Sequence, residues 1–295
     1  MFNKTKLSQA VAMTIAGTVL SVASISSASA GTETMYNLTT SGGIDNSTNT
    51  TNPTTGGTWA LSGGTDGWLY GLNGTSVGTD TSVAKWAGTT GVNKTPFAYT
   101  GAHLNWGLEI TGGAGGVAEI STNDAYNRHG VYADIDTAKG AWSDANNGGE
   151  VVASGWRHDA DFGLFKSDTS GLVTLSAQGI MQSGTDFGFT IFSGMSENTQ
   201  YFHHGSWNAT NNALGLTTNS LPAGSTTFTL ADIVAYSVGG VAPSNLNTIS
   251  FNAVADEVYT IVIGGYRNGS WGDTNDGYAL TVSQVPVPAA AWLMG

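Results

Sequence analysis

Apolar and polar residues alternate along this chain in short runs, cut by Gly, Asn and Asp, and no stretch keeps a helical period. Phe162-Gly163-Leu164-Phe165, Leu172-Val173-Thr174-Leu175-Ser176 and Phe187-Gly188-Phe189-Thr190-Ile191-Phe192 are rich in β-branched and aromatic residues and bounded by turn formers. So are Thr248-Ile249-Ser250-Phe251, Val258-Tyr259-Thr260-Ile261-Val262-Ile263 and Tyr278-Ala279-Leu280-Thr281-Val282. Each predicts a strand. Trp68-Leu69-Tyr70, Gly107-Leu108-Glu109-Ile110 and Val117-Ala118-Glu119-Ile120 repeat the pattern more weakly in the first half. A short helix is expected only at Leu230 to Tyr236, after the turn at Pro222-Ala223-Gly224. Turn-rich connections favour antiparallel pairing, so the expected fold is all-β, an antiparallel β-sandwich of jelly-roll-like character, as one large or two small units.

The chain divides by texture. Residues 1–30 read as a signal peptide: Lys4 and Lys6, an apolar run from Ala10 to about Ile25, and the small-residue cleavage site Ala28-Ser29-Ala30. The run is too short and too diluted with Ser and Thr to span a bilayer. Residues 31–58 are expected to form a flexible N-terminal segment, because Ser41 to Thr58 contains a single apolar residue, Ile44. An N-terminal β region over 59–148 and a C-terminal β-sandwich over 149–284 follow, with a boundary near Gly148-Gly149.

Composition narrows the function classes. Forty-two Gly suit short strands joined by tight turns. A formal net charge of -12 repels phosphate backbones and excludes nucleic acid as a partner. The absence of cysteine excludes disulfides, thiolate zinc sites and cysteine nucleophiles. The expected location is secreted, at the outer cell surface or in the extracellular matrix.

From about Gly155 to Ser283 the order of elements resembles the β-sandwich of bacterial exported proteins that carry a PEP-CTERM-type sorting tail. The residues carrying the likeness are GWRHDADFGLF, LVTLSAQ, FGFTIFSG, a His-rich loop and VYTIVIGGY. Residues 285–295, Val285-Pro286-Val287-Pro288-Ala289 and onward, are similar to the VPLPA variant of that signal and are expected to be a truncated sorting tail. The resemblance implies membrane contact through the tail, transient here because the sequence stops where the family's membrane helix would begin. The alternative is a plain Pro/Ala-rich end.

Histidine is the informative residue for soft or borderline metals in a cysteine-free exported chain, and there are five: His103, His129, His158, His203 and His204. Trp156-Arg157-His158 places a Trp and a His on one face of an extended segment. Phe202-His203-His204-Gly205-Ser206-Trp207 follows about 45 residues later in the sequence. Two imidazoles converging from these places suit a borderline or soft metal such as copper or zinc. Adjacent His203 and His204 point to opposite faces when extended, so one of them ligates. The competing reading is that Trp156 packs, His158 is hydrogen-bonded, and the His pair is solvated.

Trp156-x-His158 followed by a distant His resembles the copper site of the surface copper(I)-binding proteins of methanotrophs, the CorA and MopE group. The resemblance implies imidazole ligation by His158 and one of His203 or His204, with Trp156 oxidised to kynurenine. Asp159 or Asp161 is a candidate for orienting the imidazoles. Met195 is a candidate thioether donor.

Calcium is a second possible metal, through Asp134-Ile135-Asp136 and the turn from Gly269 to Gly277, though neither has EF-hand spacing and both suit plain turns. No nucleophile elbow, HExxH helix or P-loop is present, so no enzyme activity is expected. Two other functions compete with copper binding. One is a structural or adhesive matrix protein. The other is a carbohydrate-binding module for extracellular polysaccharide, using Trp68, Trp86, Trp142 and Trp271 if they are exposed.

Overall fold

In the computed structural model the described residues are 30–37, 86–89, 95–99, 104–113, 115–130, 133, 135, 161–180, 185–195, 232–236, 247–266 and 277–286. They form eleven strands and one α-helix in two sheets. The strands are β1 (Gly31–Asn37), β2 (Trp86–Ala87), β3 (Trp106–Thr111), β4 (Gly116–Ile120), β5 (Asp161–Ser167), β6 (Gly171–Gly179), β7 (Asp186–Ser193), β8 (Ile233–Tyr236), β9 (Thr248–Ala253), β10 (Val258–Tyr266) and β11 (Tyr278–Pro286). The helix, α1, is Thr122–His129.

One sheet has seven strands in the order β2-β1-β3-β5-β10-β7-β8, and the other four in the order β4-β11-β6-β9. All pairs are antiparallel except β3 with β5. The two sheets face each other over one core that includes Tyr36, Trp106, Phe165, Phe187, Phe189, Ile261, Val173, Leu175, Leu280 and Val282. This is the all-β sandwich the alternation predicts.

The two sheets carry different sequence textures for a physical reason. In β6 and β11 buried and exposed positions alternate, as they do in a sheet with one face in the core and one in water. In β5, β7 and β10 both faces are buried: Phe162, Leu164, Phe192 and Val262 lie on the side away from the core and are covered too. Strands buried on both sides need nearly continuous apolar runs, and those three have them.

Four expectations are corrected. The segment expected to be flexible from residue 31 begins with a strand: β1 pairs with β2 on one side and with β3 over six residues on the other. Its Tyr36 is among the largest fully buried side chains. The rest of that segment, 38–58, lies outside the described residues. The expected division near Gly148-Gly149 does not separate two sandwiches, since β3 pairs with β5 and β4 with β11. Strands from both sides of it share each sheet. The helix expected at Leu230 to Tyr236 is replaced over its last four residues by β8, which pairs with β7 through a register shift. The tail expected from residue 285 starts inside β11, with Val285 opposite Leu172 and Pro286 opposite Gly171; residues 287–295 lie outside the described residues, as do residues 1–29.

The helix α1 was not foreseen, although its boundaries were written locally. Ser121 caps its N-terminus by accepting a hydrogen bond from the Asp124 amide, and Gly130 ends it in the left-handed conformation at φ 75°.

Candidate metal centre

Trp156, His158, Asp159, His203 and His204 all lie outside the described residues. What the structure fixes is the strand that follows the first group and the strand ends that flank the second. Asp161 opens β5, three positions after His158, and is fully buried. Its carboxylate accepts two side-chain hydrogen bonds: Asn105 Nδ2 donates to Oδ1 at 2.9 Å, and the Tyr278 hydroxyl donates to Oδ2 at 2.7 Å. A buried carboxylate is tolerable only when hydrogen-bonded in this way.

Asn105 is the lace of this end of the sheet. Its Oδ1 accepts from the Phe162 amide at 2.9 Å, its own amide donates to the Phe162 carbonyl, and its carbonyl accepts from the Asn37 amide. The side chain and both backbone polar groups of one residue thus tie β1, β3 and β5 together where β5 begins. Tyr278 crosses from the other sheet. Its hydroxyl accepts from the Trp106 indole N–H at 3.0 Å while donating to Asp161. At the far end of the same two strands, Ser167 donates to Gln284 at 2.6 Å. β5 and β11 are therefore pinned at both ends by polar bridges through the core.

Met195 stands just beyond β7, at the end where Gly194 N–H reaches the Val258 carbonyl. β5 and β7 are both antiparallel to β10, with Asp161 opposite Ile263 and Ser193 opposite Tyr259. The chain therefore enters β5 at one end of the sheet and leaves β7 toward the other.

Of the remaining histidines, His103 lies outside the described residues. His129, at the end of α1, has Nε2 3.1 Å from the Thr34 carbonyl and its ring edge-on to Tyr36. The neighbouring polar cluster is structural: Thr34 Oγ1 and the Tyr36 hydroxyl both donate to Asp124 Oδ2 at 2.7 Å, and Arg128 pairs with Asp124 Oδ1 at 2.8 Å. Burial, with the Asp124 carboxylate added, pushes the Tyr36 phenol well above its ordinary range. Among the described residues no three His, Asp or Glu side chains gather.

For calcium, Asp134, Asp136 and residues 269–276 lie outside the described residues. Ile135 and Gly277 beside them are buried, and the Gly277 carbonyl accepts from the Ile180 amide. For sugar stacking, Trp86 is corrected: it is 9 % exposed, and its indole N–H is a buried donor with no partner among the described residues. Trp68, Trp142 and Trp271 lie outside the described residues. Sequence reasoning missed Asn105 and Tyr278 entirely, because a hydrogen-bonded triad assembled from the residue ahead of β3 and from β5 and β11 leaves no local pattern. The only hint was an Asp directly ahead of an apolar run.

No family model matches the chain, and no curated protein matches it in sequence. A solved structure described as CorA, a surface-associated copper-binding protein important in copper acquisition in Methylomicrobium album BG8, is similar at 10% identity and a TM-score of 0.30. The alignment covers 58% of this chain and 93% of that one. No helix among the described residues is long and apolar enough to cross a membrane.

Proposed function

We propose that this chain is an exported, surface-associated copper(I)-binding protein without enzymatic activity, in which His158 and one of His203 and His204 are the ligands. The observation that carries the reading is the sequence constellation itself: a Trp-x-His immediately ahead of a buried strand, and a His pair in the sequence between β7 and β8, in a chain with no cysteine. Two neutral imidazoles match the donor preference of Cu(I), and kynurenine at Trp156 would add an aromatic amine.

The topology sets what the site requires. The segment after Gly194 must run back along the sheet for His203 or His204 to reach His158. Four residue steps of β10 separate Tyr259 from Ile263, about 14 Å at strand rise. Nine residues separate Gly194 from His203, roughly 30 Å when extended. The reach is sufficient.

The test is copper(I) titration of the mature protein against a chromophoric chelator. His158→Ala is expected to abolish binding while leaving the circular dichroism spectrum unchanged. Retention of copper(I) by that variant overturns the reading. Peptide mass analysis of native protein is expected to show Trp156 with one carbon lost and one oxygen gained.

The matrix-protein reading keeps one specific support. The outward face of the four-stranded sheet carries Thr281, Ser176 and Thr248 in one row, with Glu119 at its β4 end, and Ser283, Thr174 and Ser250 in the next, with Val117 at its β4 end. Such a hydroxyl-rich face without Lys or Arg suits a polysaccharide. Failure to bind copper with both imidazoles intact favours it.

A further inference from the structure

The core contains a chain of oxidisable aromatic groups ending on a base. The Trp106 indole N–H donates to the Tyr278 oxygen at 3.0 Å, and the Tyr278 O–H donates to Asp161 Oδ2 at 2.7 Å. Trp106 and Tyr278 are fully buried, and Asp161 is 1 % exposed. Asn105 and Tyr278 both donate to the Asp161 carboxylate, so in these two bonds Asp161 is the acceptor, the role of a group that can take a proton. In low-dielectric surroundings a short, charge-assisted bond of this kind is strong and directional. The Gly163 position, with no side chain, leaves room for the Trp106 ring beside it.

We infer that Trp106, Tyr278 and Asp161 form a redox relay in which Tyr278 is the site where an oxidising equivalent comes to rest. The oxidant is a one-electron acceptor of the peroxide-derived radical class. It takes one electron from Tyr278 and is itself reduced. The Tyr278 O–H bond breaks, and the proton moves across the existing hydrogen bond to Asp161 Oδ2, where a new O–H bond forms. The products are a neutral phenoxyl radical and a carboxylic acid. Charge is not created in the core by this step, since the negative carboxylate is neutralised as the electron leaves. Trp106 keeps its proton and continues to donate to the phenoxyl oxygen.

Ordinary oxidation of a buried tyrosine without a base would leave a cation in an apolar interior, which is costly. The placement of Asp161 removes that cost. The chain has no thiol to intercept oxidising equivalents, so its Tyr and Trp residues are where they fall. The relay uses only described atoms and stands whether or not copper binds at His158.

The experiment is flash oxidation of the full mature chain with a ruthenium polypyridyl sensitiser and a sacrificial electron acceptor, followed by transient absorption and freeze-quench electron paramagnetic resonance. The expected result is a long-lived neutral tyrosyl radical that is lost in Tyr278→Phe, with the circular dichroism spectrum retained. Asp161→Asn keeps the phenol but removes the base, and the same signal is expected to be lost. Wild-type protein in D2O supplies a reading that needs no variant: formation of the radical is expected to slow. A long-lived signal that persists in Tyr278→Phe, or a formation rate indifferent to D2O, overturns the relay.

Discussion

The indole of Trp106 stands where a side chain at Gly163 would have to be: a Cβ built there lies 2.1 Å from ring atoms Cε2 and Cζ2. The two residues are register partners on the parallel pair β3 and β5. The largest buried side chain thus depends on the smallest residue beside it.

Gly163→Ala is therefore expected to destabilise the fold by about 1–3 kcal/mol, the usual cost of overpacking a core that cannot yield. Chemical denaturation should show a lowered midpoint. An unchanged midpoint would mean that Trp106 moves aside freely, which its hydrogen bond to Tyr278 opposes.

Asn105→Ala removes the donor to Asp161 and the acceptor for the Phe162 amide. Losing such a buried hydrogen bond costs about 1–3 kcal/mol, more where the acceptor is charged, although Asp161 keeps the bond from Tyr278. Hydrogen exchange at Phe162 should quicken more than at Leu280 on the other sheet. Equal change at both sites would show that Asn105 does not act locally.

At α1, Ser121→Ala is expected to cost about 1 kcal/mol through loss of the cap to the Asp124 amide. The loss should appear as a lower thermal midpoint. No shift in that midpoint contradicts the capping role.

Alkaline pH should destabilise the protein through Tyr36. Burial first, then the Asp124 carboxylate and the hydrogen bond to it, raise its folded-state value well above the ordinary one. A raised value means that the neutral form is favoured on folding. The contribution is fully present below the unfolded value, about 10, and is lost as pH rises from there toward the folded value. Tyr36→Phe should flatten this alkaline loss. A wild-type phenol titration in which all tyrosines ionise near their ordinary value contradicts it.

The sequence by itself determined most of the strands. Runs such as Val258-Tyr259-Thr260-Ile261-Val262-Ile263 prefer extended backbone for reasons internal to each side chain, and the alternation in β6 already states which face meets water. It also carried the ends of α1, in Ser121, Asp124 and Gly130, but not its body. Thr-Asn-Asp-Ala-Tyr-Asn-Arg-His has weak helix formers and no apolar stripe. What holds that helix is tertiary: the Thr122 hydroxyl donating to the Ala133 carbonyl and Asp124 receiving Tyr36 and Thr34.

Tertiary structure alone decided the rest. At Ile233–Tyr236 pairing with β7 overrode the helical expectation. β1 is a strand because β3 completes its hydrogen bonds, a partner about seventy residues away that no local pattern names. The proposed ligands were legible because metal chemistry restricts residue types and spacing. The Asn105, Asp161 and Tyr278 network was not, because its members come from 105, 161 and 278 and meet only when two sheets close over one core. Contacts between distant residues are selected by packing the whole chain at once, and that selection leaves no periodic trace in the order of amino acids.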